Sequence, residues 1–321
     1  MNTTYHREYP SDKTVMQATR TELGLHPAFE FGPEARPIFD ELIAKVPTAK
    51  GVDYEAAVIG GVPGWWCRPS DAVDSGAILY LHGGAYILGS ASAYRNFAGQ
   101  IAVRAKSATF IADYRLAPEH RFPGAVDDAL AAYHGLSEAG YSSVALAGDS
   151  AGGGLALSLL SLATAESRNG SIVRPVAAAV MSPWTDLALT GNSFESRSTA
   201  DPLLTRDALE KAAKLYLGEQ DPLDPHASPL YADLTGLPPV LLHVGEEEIL
   251  LDDSRRFAER ISSVCGVAHL SVWQGMVHVF PSNLELQAAR EALEDIGNFL
   301  YSHLGGVTIE PQRSGNKVIG I

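Results

Sequence analysis

The chain has 321 residues, 46% of them hydrophobic and 19% charged, enough to bury a substantial core in one large or two medium domains. Its 24 Lys and Arg against 38 Asp and Glu give a formal charge of −14, which argues against nucleic acid or an anionic membrane as a partner, since both call for a basic face. Cys67 and Cys265 lie far apart with no C-x-x-C spacing, so they read as buried small hydrophobes and not as a disulfide framework or a zinc site. Residues 1–20 are polar, with no apolar stretch of the signal-peptide kind, and no run approaches the roughly 18 apolar residues of a membrane span. A soluble, cytoplasmic protein is expected.

In chain order, residues 1–50 read as irregular and helical pieces. Pro27, Pro33, Pro37 and Pro47 interrupt them, and apolar residues keep helical spacing only over 38–46. That segment is too short to fold alone and is expected to be an arm of a cap. From Val52 the pattern turns to strands: 52–59 and 62–68 as a hairpin around Gly60-Gly61, then 77–81 and 108–112. Helices are expected over 92–106 and, with Pro123 near its start, 123–137. A strand at 144–147 leads into a helix over 152–167, and 175–181 is a further strand. Residues 186–236 break the rhythm, with Asp-Pro steps around a helix at 205–217. Alternation then resumes with strand 239–244, helix 252–263, strand 267–273 and helix 284–303. Strands alternating with helices predict an α/β fold with a mostly parallel sheet covered on both faces. The division expected is an arm (1–50), a first core part (51–185), a cap insertion (186–236), a second core part (237–304) and a flexible tail (305–321).

The stretch Gly148-Asp149-Ser150-Ala151-Gly152 stands where a strand passes sharply into a helix. That is the G-x-S-x-G elbow, which exposes a serine hydroxyl at the apex of a strained turn. The bare pattern arises by chance in about one chain in ten of this length, so its partners decide its meaning. A serine hydroxyl needs a general base, usually a histidine held by a carboxylate, and in this fold the order is Ser, acid, His. His269, His278 and His303 come late enough. His269 belongs to a strand and His303 to the end of the last helix, whereas His278 sits in a loop just past a strand's C-terminal end, where catalytic groups of parallel sheets collect. The acid is Glu247, Glu248 or Asp186 on position alone, because Gly245-Glu246-Glu247-Glu248 follows one strand and Asp186 another. His82-Gly83-Gly84 also follows a strand, and the amides of Gly83, Gly84 and Ala151 are the expected oxyanion donors.

With these residues together, the chain resembles the bacterial hormone-sensitive lipase family of α/β-hydrolases. The resemblance rests on His82-Gly83-Gly84-Ala85-Tyr86 for the family's HGGG segment, Asp113-Tyr114-Arg115-Leu116-Ala117-Pro118-Glu119, and Phe122-Pro123-Gly124-Ala125 with Asp127-Asp128. It continues through Gly148 to Gly153, Ser182-Pro183-Trp184, Ala227-Ser228-Pro229-Leu230 and Gly275-Met276-x-His278. It implies an α/β-hydrolase core with a helical cap, and a serine esterase acting on short- to medium-chain carboxylic esters, with no cofactor and no metal. Members often dimerise, though nothing in the sequence demands a homodimer. Two departures stand out. Ala85 replaces the third glycine, at a position expected not to matter for the oxyanion amides. Glu247 stands where the family carries aspartate in Gly-x-Asp-x-x-Leu, with Leu250 keeping the register, so the resemblance favours Glu247 as the acid. Tyr86 and Trp184 are candidates to line the substrate pocket, and Arg115, Glu119, Asp127 and Asp128 read as a salt-bridge and turn network. The alternatives are a lactonase or amidase with the same triad, and a catalytically silent ligand-binding protein on the hydrolase fold.

Overall fold

The computed structural model describes residues 2–23, 30–72, 76–168, 170 and 172–305. The expected tail, apart from Gly305, falls outside them.

In chain order the elements are β1 (Asn2–His6), α1 (Pro10–Leu23), α2 (Arg36–Ile43), β2 (Val52–Ile59), β3 (Val62–Pro69), β4 (Gly76–Leu81), α3 (Ala91–Ala105), β5 (Ala108–Ala112) and α4 (Gly124–Glu138). The second half runs β6 (Ser143–Asp149), α5 (Ser150–Ser167), β7 (Pro175–Met181), α6 (Ser193–Ser196), α7 (Arg206–Leu217), β8 (Val240–Gly245), α8 (Leu251–Ser263), β9 (Ala268–Trp273) and α9 (Gln287–His303). The described strands form one sheet in the order β1-β9-β8-β7-β6-β4-β5-β3-β2, in which β3 alone runs against the others.

β4 to β8 are buried along nearly their whole length, as unbroken apolar runs such as Gly76–Leu81 require of strands covered on both faces. Phe97 and Ile101 of α3 and Leu293 and Ile296 of α9 fill one face. Leu155, Leu159 and Ala163 of α5, Ala129 and Tyr133 of α4, and Phe257 of α8 fill the other. The parallel strands and their crossovers therefore bring the C-terminal ends of β4, β6, β8 and β9 to one edge of the sheet, where parallel sheets place their ligands.

Residues 2–6 depart from the expected arm. Asn2–His6 pair in parallel with His269–Trp273 and extend the core sheet, although Asn-Thr-Thr-Tyr-His carries no strand-like apolar alternation. Backbone hydrogen bonds and the stacking of His6 on Trp273, with ring centroids 3.7 Å apart, supply what the side-chain pattern does not. The arm then continues as α1, whose buried Asp12 accepts from the Gln287 and Ala288 amides, each at 2.8 Å. Those first-turn amides of α9 have no partner within the helix, which has no capping side chain of its own. Cys67 is buried as expected, but Cys265 is exposed, in the turn that follows α8.

Candidate active site

The elbow is built by close backbone packing. β6 ends at Asp149, and Ser150 follows with φ 53°, in the left-handed region that costs a side-chain-bearing residue about 1–2 kcal/mol. A Cβ at Gly152 would overlap the carbonyl oxygens of both Leu81 and His82, so only glycine lets α5 start this close to the end of β4.

His278 bridges the site. Its Nε2 lies 2.9 Å from Ser150 Oγ and its Nδ1 2.8 Å from Glu248 Oε2. Because Nδ1 faces a carboxylate it carries the proton, which leaves Nε2 free to accept from the serine hydroxyl. Burial opposes a charged imidazole, but the hydrogen bond and charge of Glu248, with Asp201 and Asp149 behind, more than offset it and hold the pKa of His278 above the usual histidine value.

Glu248, and not Glu247, therefore stands against His278, a correction to the register drawn from the sequence. The backbone explains it. The Glu246 and Glu247 amides donate to the carbonyls of Trp273 and Met276, which turns the Glu247 side chain to the opposite side, onto Arg20. Glu248 folds back: its Oε1 accepts from the Gly245 amide at 2.6 Å and the Ser182 hydroxyl at 2.8 Å, leaving Oε2 to the histidine. Ser182 Oγ in turn accepts from the Val279 amide at 3.0 Å, so one hydroxyl ties the acid to the histidine loop. Asp186 is elsewhere. Its buried carboxylate is shared among Arg256, Tyr231, Thr190 and the Ala188 amide.

A second correction concerns the oxyanion donors. The Gly83 amide is already committed to Asp149 Oδ1 at 3.0 Å. Asp149 is buried, its pKa raised by that burial, and also accepts from the hydroxyls of Tyr80 at 2.7 Å and Tyr94 at 3.1 Å. The amides of Gly84 and Ala85 have no hydrogen-bond acceptor among the described residues, and the Ala151 amide lies in the first turn of α5, where helix geometry supplies none. Gly84 at φ 113° and Ala85 at φ 55° turn this segment away from the strand path. Ala85 thus falls within the free-amide set, contrary to expectation.

Tyr86 and Trp184, expected to line a substrate pocket, are instead buried among protein side chains. Tyr86 is 1% exposed and stacks on Tyr216 with centroids 3.9 Å apart, while Trp184 is 0% exposed and donates its indole N–H to Asp186 O. Of the charged network, Arg115 grips Asp128 and Glu119 grips Arg36, which fastens the N-terminal arm to the core. Among the described residues no group of three or more His, Cys, Asp or Glu side chains is placed to hold a metal, and no helix is long and apolar enough to cross a membrane.

Residues 78–282 match a family described as the alpha/beta hydrolase fold. An esterase from the bacterial hormone-sensitive lipase family superposes with a TM-score of 0.84 at 38% identity, over 93% of this chain and 99% of that one. The chain belongs to that family. This hydrolase is also 39% identical to an acetyl-hydrolase of Streptomyces hygroscopicus over 254 residues, 78% of this chain and 83% of the relative. It is 36% identical to an esterase of Acinetobacter venetianus over 271 residues, 83% and 88% of the two chains.

Glu248 was open on position alone and fell below Glu247 only because the family register sets Glu247 where an aspartate usually stands. Sequence reasoning missed Ala85 as an amide donor, and Asp149 and Asp201 as supports. The aspartate inside Gly-Asp-Ser-Ala-Gly was in view throughout; what was absent was the fold that sets β4 beside β6.

Proposed function

We propose that this hydrolase cleaves carboxylic esters with short acyl chains through an acyl-enzyme on Ser150, with His278 as base and Glu248 as acid. The observation that carries it is a single imidazole in hydrogen-bond contact with both a strained serine and a buried carboxylate. His278 Nε2 takes the Ser150 proton as Oγ attacks the ester carbonyl carbon. The tetrahedral oxyanion is held by the amides of Gly84, Ala85 and Ala151. Collapse breaks the bond to the alcohol, which leaves with the proton from His278 Nε2. Water then gives a proton to His278 and attacks the acyl carbon, and the second collapse returns the proton to Ser150 and frees the acid. Glu248 fixes the tautomer of His278 and stabilises the transient imidazolium.

A relative named as an acetyl-hydrolase supports a small acyl group, and one named as an esterase supports an ester bond. The arm and the 186–236 insertion serve as the cap in this reading, since Arg20, Asp201 and Tyr216 all reach the loops at the strand C-termini. Ser150→Ala is expected to abolish turnover of p-nitrophenyl acetate and butyrate while leaving the circular dichroism spectrum unchanged, and to abolish labelling by a fluorophosphonate. Unchanged turnover would end the proposal. A matched lactone and amide run beside the ester separates esterase from lactonase or amidase.

A further inference from the structure

α1 carries three inward residues at helical spacing, Asp12, Met16 and Arg20, one turn apart on one face. Asp12 is buried and caps α9. Met16 is buried in an apolar cluster with Trp273, Met276, Val277 and Phe280, which includes the two residues before His278. Arg20 completes the stripe. One of its terminal nitrogens donates to the Ala200 carbonyl at 2.6 Å and the other pairs with Glu247. A planar guanidinium can hold two acceptors in fixed directions at once, which a lysine ammonium on its flexible stem does not reproduce.

The two acceptors flank the acid. Glu247 is the residue before Glu248, and Ala200 is the residue before Asp201, whose Oδ2 accepts from the Ile249 amide at 2.9 Å on the other side of Glu248. Asp201 is itself fixed, since its Oδ1 accepts from the Leu203 and Leu204 amides. Arg20 thus closes a ring that runs from α1 to Glu247, through Glu248 to Ile249, to Asp201, and back through Ala200. Glu248 is the member of that ring that touches His278.

We infer that Arg20 is a positioning residue for the triad, clamping the loop 245–250 between the N-terminal helix and the cap insertion so that Glu248 meets His278. The inference rests on the triad reading above. By this account α1 is part of the catalytic support and not merely a cover, and the acid is selected from three adjacent glutamates partly by engagement of its neighbour.

The test compares Arg20→Ala, Glu247→Ala, the double variant and Arg20→Lys, with kcat expressed per fluorophosphonate-labelled site so that loss of folded protein is removed from the rate. Arg20→Ala should lower kcat about tenfold with KM within about twofold, the pattern of a lost transition-state interaction. The double variant should be no worse than the more damaging single, because both break one contact. Arg20→Lys should recover part of the loss. The double variant removes one charge of each sign, so a shift in the acid limb of kcat/KM reports the Glu248 contact. Glu248, Asp201 and Asp149 are the charged groups acting on His278, and loosening the first should move the limb down in pH. Wild-type kcat per labelled site with an unmoved limb overturns the inference, and additive losses do the same. If the double variant is too unstable to label, Arg20→Lys and Glu247→Gln carry the same comparison. Ser150→Ala, assayed alongside, separates the two failures: turnover that survives it overturns the triad reading, whereas turnover lost in it and intact in the Arg20 variants overturns the clamp alone.

Discussion

The two halves of the site are held by different means. The nucleophile half, at the ends of β4 and β6, is fixed inside the core. Gly152 packs against the carbonyls of β4's end, and Asp149 draws Tyr80, Tyr94 and the Gly83 amide together without solvent. The histidine–acid half, at the ends of β8 and β9, is held from outside the sheet. Glu247 rests on Arg20, Ile249 on Asp201 and Ser193, and Asp12 secures the helix that carries Arg20. In the proposed mechanism the core thus preorganises the attack, while the arm and insertion hold the proton relay.

Substitutions can break that contrast or sharpen it. The largest effect is expected where the halves meet: His278→Ala should lower kcat by about 10⁶-fold in steady-state assays, leaving only the amide and binding contributions. Next, Gly83→Ala places a methyl group against the Asp149 carboxylate and should cost about 10²-fold in kcat/KM by displacing the oxyanion segment. A loss below about threefold there would show that the β4 end is less rigid than its packing implies.

A smaller effect tests the other half. Base catalysis needs neutral His278, so kcat/KM rises with pH through a pKa held above the usual value of about 6.5. Glu248→Gln removes the charge that raises it, and the acid limb of the profile should move to lower pH as the rate falls. The smallest effect is read in stability. Asp253 is buried beside Asp186, and burial followed by that charge raises its pKa to about 8. Unfolded, it ionises near pH 3.9, so between about pH 4 and 8 the folded state holds the extra proton and stability falls as pH rises. Asp253→Asn should flatten that slope by at most about 1.4 kcal/mol per pH unit, measured by urea denaturation across the window. An unchanged slope would show Asp253 ionised at neutral pH.

The same contrast governs what the sequence could reveal. The strand Ala108–Ala112 was legible as an unbroken apolar run and the helix ending at Leu217 by its apolar spacing, because burial imposes both patterns. Ser150 and His278 were legible because a glycine-bounded elbow and a loop after a strand leave few alternatives. Glu248 was harder, since the choice between Glu247 and Glu248 is made by amide bonds to Trp273 and Met276 and by an arginine 227 positions before Glu247. β1 was illegible for a related reason: its pairing rests on backbone bonds to β9 and on His6 stacking on Trp273, neither of which leaves an apolar alternation in its own sequence. The oxyanion set shifted by one residue because Asp149 takes the Gly83 amide, a contact across 66 positions.

The most direct test of the account is the ratio of kcat/KM on p-nitrophenyl butyrate between Glu247→Ala and Glu248→Ala, each corrected for labelled sites. Removing the residue that orients His278 should cost about 10⁴-fold, and removing its neighbour about tenfold, so Glu247→Ala should be the faster by about 10³. Equal rates, or Glu248→Ala the faster, would contradict the assignment of Glu248 as the acid.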